Sequence, residues 1–242
     1  MWKTILSIFF PIHCLGCNQE GSFICFNCLN KLPLNTKLPS DNLLIASYYE
    51  NPLIKKIVHR YKYDFVKELA KPLGLLMIKK LNNFPNNFNK NNSILIPVPL
   101  HRKRLKWRGF NQAELLAQVI SQELNIPMIN NLLIRTKHTL PQVKLENSKQ
   151  RKENINNAFS LEVGPKRPCL KNDSIQKRLV LNNDVPLEKG RHFKDDASGL
   201  IKNKTIILID DISTTGATLK ECTKALKPLN PKKIIGLVIA RG

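Results

Sequence analysis

Apolar positions along the chain fall into two patterns. Short unbroken runs, rich in β-branched residues, occupy Leu43–Tyr49, Ser93–Val98, 132–134, Thr205–Ile209 and Ile234–Ala240. Runs of this length without a polar break predict strands buried on both faces, as in a parallel sheet. Elsewhere apolar residues recur at helical spacing. Leu53, Ile54, Ile57, Val58 and Tyr61 define one face of a helix that Asn51-Pro52 starts, proline being well tolerated in a first turn. Phe65 to Leu81 continues helical, with a bend or interruption near Pro72 and Gly74. Ala113, Leu116, Ile120 and Leu124 give the stripe of a helix that Asn111 can cap, with Glu114 three residues on. Leu219, Cys222 and Leu226 mark another. Strands alternating with helices predict an α/β fold, a mostly parallel sheet flanked by helices.

Three polar segments interrupt this pattern. Asn82–Asn92 is an asparagine-rich connector, expected to be exposed. Residues 135–152 carry Arg135, Lys137, Lys144, Lys149, Arg151 and Lys152 in a long polar excursion between two strands. Long loops at the ligand end of a scaffold are often lids, and a variable surface loop is the alternative. Residues 163–204 mix both charges with Pro165, Pro168, Pro186, Gly190 and Gly199 and show no long periodicity. They read as an insertion, with Val180 and Leu181 the one hint of a strand.

At 242 residues the chain can bury a substantial core and carry a small appendage. Lysine and arginine number 39 against 18 acidic residues, a formal net charge of +21. That excess favours polyanionic partners: nucleic acid, phosphorylated metabolites or an anionic membrane face. Abundant lysine and asparagine also fit a simple genomic bias. Met1–Phe10 is apolar and invites a signal-peptide reading, but the run is short, Pro11 stops it, and no small-residue cleavage pattern follows. No stretch reaches the ~18 uninterrupted apolar residues of a membrane-spanning helix. No membrane insertion and a cytoplasmic location are expected.

Cysteine spacing adds a first candidate site. Cys14 and Cys17, then Cys25 and Cys28, form two C-x-x-C pairs around a short glycine-containing loop. Two such pairs can present four thiolates tetrahedrally to zinc, while a cytoplasmic setting disfavours disulfides. Redox dithiols or plain buried cysteines are the alternatives. His13 adjoins the first pair and is expected to face solvent rather than replace a ligand. Cys169 and Cys222 have no partner pattern, and Cys222 lies on its helix's apolar stripe.

The second candidate site follows the strand at Thr205. Asp210 and Asp211 end the apolar run, Ser213, Thr214, Thr215 and Gly216 turn the chain, and Ala217, Thr218 and Leu219 open a helix. In this geometry, backbone N–H groups and the positive end of the helix dipole hold a phosphate. Thr214, Thr215 and Thr218 add hydroxyl donors, and Gly216 allows close backbone approach. Carboxylates just before the loop can accept bonds from the vicinal hydroxyls of a ribose. A sugar 5-phosphate fits both halves. The bland alternative is a helix cap with two solvated aspartates.

A cationic stretch, His101-Arg102-Lys103-Arg104-Leu105-Lys106-Trp107-Arg108, follows the strand that ends near Val98. Ligands of open α/β sheets sit beyond the carboxyl ends of strands, so these cations stand where a polyphosphate would, unless they form a solvated basic loop. Trp107 is expected to pack beneath that loop, with stacking on a nucleobase as the alternative.

The segment from Thr205 to Leu219 resembles the phosphoribosyl pyrophosphate (PRPP) motif of type I phosphoribosyltransferases. One departure is Thr214, where some purine-salvage members carry an aspartate. The two cysteine pairs, Pro97-Val98-Pro99, Arg104, Arg108-Gly109-Phe110-Asn111-Gln112, Gln142, Arg151, Asn154, Asp210-Asp211 and residues 214–218 occur in the order of the ComF family of phosphoribosyltransferase-like competence proteins. The resemblance covers nearly the whole chain except about 164–203. It implies a zinc-binding module over 1–40 and a type I phosphoribosyltransferase-like domain over 41–242. It further implies PRPP bound by Asp210 and Asp211 at the ribose and by Thr214, Thr215, Gly216, Ala217 and Thr218 at the 5-phosphate. Arg102, Lys103, Arg104 and Arg108 would lie on the pyrophosphate side, with magnesium bridging PRPP oxygens. A role in DNA uptake follows, with single-stranded DNA and other competence proteins as partners. The rival expectation is an active transferase passing the phosphoribosyl group to a nitrogen acceptor, although no general base is evident.

Overall fold

The computed structural model describes residues 11–37, 42–84, 89–137, 155–161 and 199–242. The apolar runs are strands: β1 (Leu43–Tyr48), β2 (Ser93–Pro97), the short β3 (Leu133–Arg135) and β4 (Phe159–Leu161), then β5 (Thr205–Ser213) and β6 (Lys233–Arg241). Four of them build one wholly parallel sheet in the order β1–β6–β5–β2. Beyond β2, Leu95 donates its N–H to the Pro127 carbonyl at 2.8 Å and accepts from Ile129 N–H at 2.9 Å, a single further bridge at that edge. β3 and β4 pair antiparallel as a separate ribbon.

Helices cover both faces of the sheet. The described helices are α1 (Phe26–Asn30), which lies in the cysteine module, α2 (Pro52–Tyr63), α3 (Ala70–Asn82), α4 (Arg102–Arg108), α5 (Gln112–Leu124) and α6 (Ala217–Leu226). Alternation along β5 decides which face each residue serves. Ile207 and Ile209 join the core of α2, α3 and α5, while Ile206 and Leu208 join that of α6 and the β3–β4 ribbon. Asn51 Oδ1 caps α2, accepting from Leu53 and Ile54 N–H at 3.1 Å. Where α3 crosses α5, a Cβ at Gly74 would stand 2.6 Å from Val119 Cγ1, so only glycine lets these helices approach so closely.

Three expectations change. The helix predicted over Phe65–Leu81 is not broken at Pro72 or Gly74; both lie inside α3, Pro72 in its first turn, where a missing N–H costs no internal bond. The break comes earlier, at Asp64–Val66, where Phe65 takes a left-handed φ of +57° before a short 3-10 turn over Lys67–Leu69. The cations after β2 form a helix rather than a loop. His101 caps α4 by accepting the Lys103 N–H at 3.3 Å, and Gly109 ends it at φ +77°. Arginine, lysine and leucine favour helix, and a glycine just past them supplies the stop. Finally, β5 does not end at the carboxylates. Pairing with β6 continues to Ser213 opposite Arg241, because β6 extends as far and keeps the ladder bonded.

The cysteine module shares the main core. Cys14, Ile24 and Leu32 pack in the same cluster as Ile54 and Ile57 of α2. A Cβ on Gly16 would meet Cys28 Sγ at 2.7 Å and Leu53 Cδ2 at 3.2 Å, so the knuckle rests directly on the start of α2. Lys56 Nζ reinforces that seat by donating to the Leu15 carbonyl at 3.3 Å. The connector to β1 runs along the sheet edge. Asn35 N–H donates to the Ala46 carbonyl at 2.9 Å, and the buried Lys80 of α3 donates to the Asn35 and Lys37 carbonyls at 2.5 and 2.9 Å. That edge is covered rather than left open to pairing. Cys169, Val180, Leu181, most of the basic stretch 135–152 and most of the predicted insertion lie outside the described residues. Among the described residues no helix is long and apolar enough to cross a membrane.

Candidate functional site

A cleft of about 700 Å³ opens beyond the carboxyl ends of β2 and β5. Parallel strands end their hydrogen-bonding there, and side chains of the following turns converge. Asp210, Asp211, Thr214 and Thr218 line it from β5 and α6, Lys103, Arg104 and Arg108 from α4, and His59, Lys62 and Tyr63 from the last turn of α2. Arg135 of β3 and Gln112 of α5 complete the wall. Arg102 stands outside the lining, since helical geometry turns it away from the face of Lys103, Arg104, Trp107 and Arg108.

The two aspartates occupy different environments. Asp211 faces α2 and pairs with Lys62, its Oδ1 lying 3.0 Å from Nζ, with both side chains mostly buried. The same oxygen accepts the Ile212 N–H at 2.6 Å. Asp210 belongs to the opposite face, with the Arg135 cation and Cys222 near it. Burial, then the Asp211 charge beside it, pushes the Asp210 carboxyl up to about 7, against the pull of Lys62. A carboxyl titrating there exchanges protons at neutral pH.

The loop after β5 turns on a glycine before α6 begins. Gly216 precedes α6 with φ +75°, a left-handed conformation that side chains rarely adopt. A Cβ there would meet nothing within 4 Å, so backbone conformation rather than space demands the glycine. Thr215 Oγ1 accepts the Ala217 N–H at 3.4 Å, and the Thr214 carbonyl takes Arg241 Nε at 3.3 Å, tying the loop to the end of β6. Thr214 and Thr218 line the cleft, whereas Thr215, Gly216 and Ala217 stand outside its lining.

Across the cleft, α4 carries cations and one exposed ring, Trp107. Burial pulls Arg104 and Arg108 below the usual arginine range. Arg108 donates to Gln112 Oε1 at 2.6 Å. Trp107 is not packed beneath a loop: it is 64% exposed, edge-on to Phe65 with ring centres 5.1 Å apart, because α4 points it outward at the cleft mouth. Tyr63, 46% exposed, pairs with His59 on the facing helix.

A second site lies in the amino-terminal module. The sulfur atoms of Cys14, Cys17, Cys25 and Cys28 all lie within 4.8 Å of one another. Cys17 and Cys25 are 3.6 Å apart, close to the separation that tetrahedral Zn–S bonds of ~2.3 Å impose. Cys14 Sγ accepts the Cys25 and Gly16 N–H groups at 3.3 and 3.4 Å, and Cys25 Sγ accepts Cys28 N–H at 3.4 Å. Burial pushes Cys14 up, but backbone N–H donors from Cys25, Cys17 and Gly16 outweigh it and bring the thiol down to about 6. A four-sulfur donor set with one thiol already acidic fits a zinc ion. His13 stays outside, 3.6 Å from Glu20. Cys222 is fully buried, and burial pushes its thiol well up, as suits a core residue.

Residues 112–242 match the phosphoribosyl transferase domain family. Competence protein F of Haemophilus influenzae is 31% identical over 229 residues, covering 93% of this chain and 82% of that protein. The chain belongs to the ComF family. The DNA utilization protein YhgH of Shigella flexneri is 29% identical over 84% of this ComF chain and 70% of its own length. Competence protein ComFC of Bacillus subtilis is 25% identical, covering 77% and 60%. The parallel sheet, the flanking helices and the four-cysteine cluster are therefore those of a ComF phosphoribosyltransferase fold.

Sequence reasoning missed several cleft residues of this ComF chain. Lys62 was not singled out, Arg135 read as part of a lid or a surface loop, and Gln112 as one letter of a motif. Only Lys62 left a trace: it sits one position after the buried Tyr61, at the edge of the α2 stripe.

Proposed function

We propose that this ComF protein binds PRPP with magnesium in the cleft and serves DNA uptake or use, acting on the single-stranded form. The observation that carries the reading is convergence. The glycine-bent loop at the start of α6, the two carboxylates and the α4 cations line one cavity at the carboxyl ends of parallel strands. Asp210 and Asp211 hold the ribose hydroxyls, residues 214–218 the 5-phosphate, and Lys103, Arg104 and Arg108 the diphosphate. Magnesium, when bound with PRPP, supplies charge neutralisation at the phosphate oxygens. Zinc sits in the four cysteines and holds the amino-terminal module together. The protein works in the cytoplasm, over the domain bounds 1–40 and 41–242, alongside other competence proteins. Relatives named for competence and for DNA utilization support the biological role.

Calorimetric titration with PRPP and magnesium tests the site. The parent binds, and the double variant Asp210→Asn, Asp211→Asn binds at least tenfold more weakly, since each carboxylate bond to a hydroxyl contributes about 1.5–3 kcal/mol. Equal affinity in the two overturns the assignment.

A second reading is favoured by Asp210. A carboxyl brought up to about 7 supplies the proton acceptor that a transferase needs. The acceptor nitrogen would bond to ribose C1 as the C1–O bond to pyrophosphate breaks, its proton passing to Asp210. Pyrophosphate release on adding a nitrogen acceptor, abolished in Asp210→Asn, distinguishes this reading from pure binding.

A further inference from the structure

The α2 side of the cleft floor holds more donors than the protein itself uses. Lys62 and Arg108 bring two positive charges to one nearby carboxylate, Asp211. Arg108 donates to Gln112 Oε1 at 2.6 Å, which fixes that amide, because the flipped orientation would set N–H against N–H. Gln112 is 1% exposed, yet its Nε2 has no hydrogen-bond partner, and neither does the buried Nε of Arg108. The nearby Tyr61 O–H donates to the Gln112 backbone carbonyl at 2.9 Å, which fixes the start of α5 against α2. Native proteins rarely leave buried N–H donors unpaired, and these two border the same cleft as Lys62.

We propose that Lys62, Arg108 and Gln112 form a diphosphate-binding floor, with Asp211 holding Lys62 in place until the anion arrives. The inference rests on the PRPP reading and adds Lys62 and Gln112 as binding residues. A diphosphate offers acceptor oxygens on two linked groups, enough to take the Arg108 and Gln112 donors together. Lys62 then turns from Asp211 to the anion, and the released carboxylate becomes available to ribose hydroxyls. Diphosphate and ribose recognition are thereby coupled through one ion pair.

The test titrates the full chain with sodium pyrophosphate, free of magnesium, and separately with ribose 5-phosphate. Lys62→Met and Gln112→Glu each weaken pyrophosphate binding roughly ten- to hundredfold, the loss expected for a hydrogen bond to a charged group. Neither weakens ribose 5-phosphate, and Lys62→Arg stays within a few fold of the parent. Asp211→Asn acts with opposite signs on the two probes: it tightens pyrophosphate by freeing Lys62 and weakens ribose 5-phosphate. Parental pyrophosphate affinity in Lys62→Met overturns the floor, and that variant suffices should Gln112→Glu fail to fold. A parent that binds ribose 5-phosphate but not pyrophosphate overturns the floor and leaves the sugar-phosphate site standing. A parent that binds neither overturns both.

Discussion

Asp210 and Asp211 are neighbours with the same side chain, yet the period of two in a strand gives them opposite surroundings. Asp211 has a lysine at 3.0 Å, while Asp210 has burial and a second carboxylate. The sign of the stability effect follows. Between pH ~4 and ~7 folded Asp210 keeps a proton that the unfolded chain has released, so stability falls as pH rises through that window. Asp210→Asn removes the group that resists ionisation. It is expected to raise the unfolding free energy at pH 8 by roughly 1–2 kcal/mol and to change it little at pH 4. Denaturant melts of both proteins at the two pH values check this. A pH-independent difference would mean that Asp210 ionises freely.

At the scale of elements, α2 links the two candidate sites. Its first turn carries Leu53 beneath the cysteine knuckle, and its last turn carries Lys62 and Tyr63 into the cleft. Among its described residues the knuckle has one short helix, α1, with no buried residues, and its four sulfur atoms lie together, so a metal is expected to hold it together. Purified protein is expected to contain about one zinc per chain by elemental analysis. Cys28→Ser, or a strong chelator, should lower the melting midpoint by several degrees and expose the Leu53 end of α2. A metal-free chain that melts with the parent would refute the knuckle. α4 divides by face in the same way. Lys103, Arg104 and Arg108 turn into the cleft, whereas Lys106 is exposed and lies outside its lining.

For the whole molecule, the +21 charge sets a long-range field that attracts polyanions. If single-stranded DNA lies across α4, affinity should fall linearly on a log–log salt plot. Five or so phosphate contacts give a slope of roughly −3 to −4 at about −0.7 per contact. Trp107 and Tyr63, both exposed at the cleft mouth, provide stacking surfaces of roughly 1–3 kcal/mol per base. Arg102→Glu with Lys106→Glu, both outside the cleft lining, should weaken DNA and leave PRPP binding near the parent value. Lys103→Glu with Arg104→Glu should weaken both ligands. Fluorescence anisotropy at several salt concentrations reads the slope. A flat salt dependence would remove DNA from the list of direct partners.

The sequence by itself determined the parallel sheet, because unbroken β-branched runs fit only strands covered on both faces. It also marked the glycine-bent loop after β5 and the four-cysteine cluster, since both are local: their residues lie within a few positions of one another, and short-range backbone geometry suffices to assemble them. The break at Phe65 escaped because a non-glycine residue in a left-handed conformation has no strong sequence signal. The extent of β5 escaped because pairing with β6 depends on how far the partner strand runs. Lys62 facing Asp211 and Gln112 with an unpaired amide were decided by tertiary structure alone. They join α2, α4, α5 and β5, segments far apart in the chain, whose side chains meet only after the sheet has set the helices around its carboxyl end.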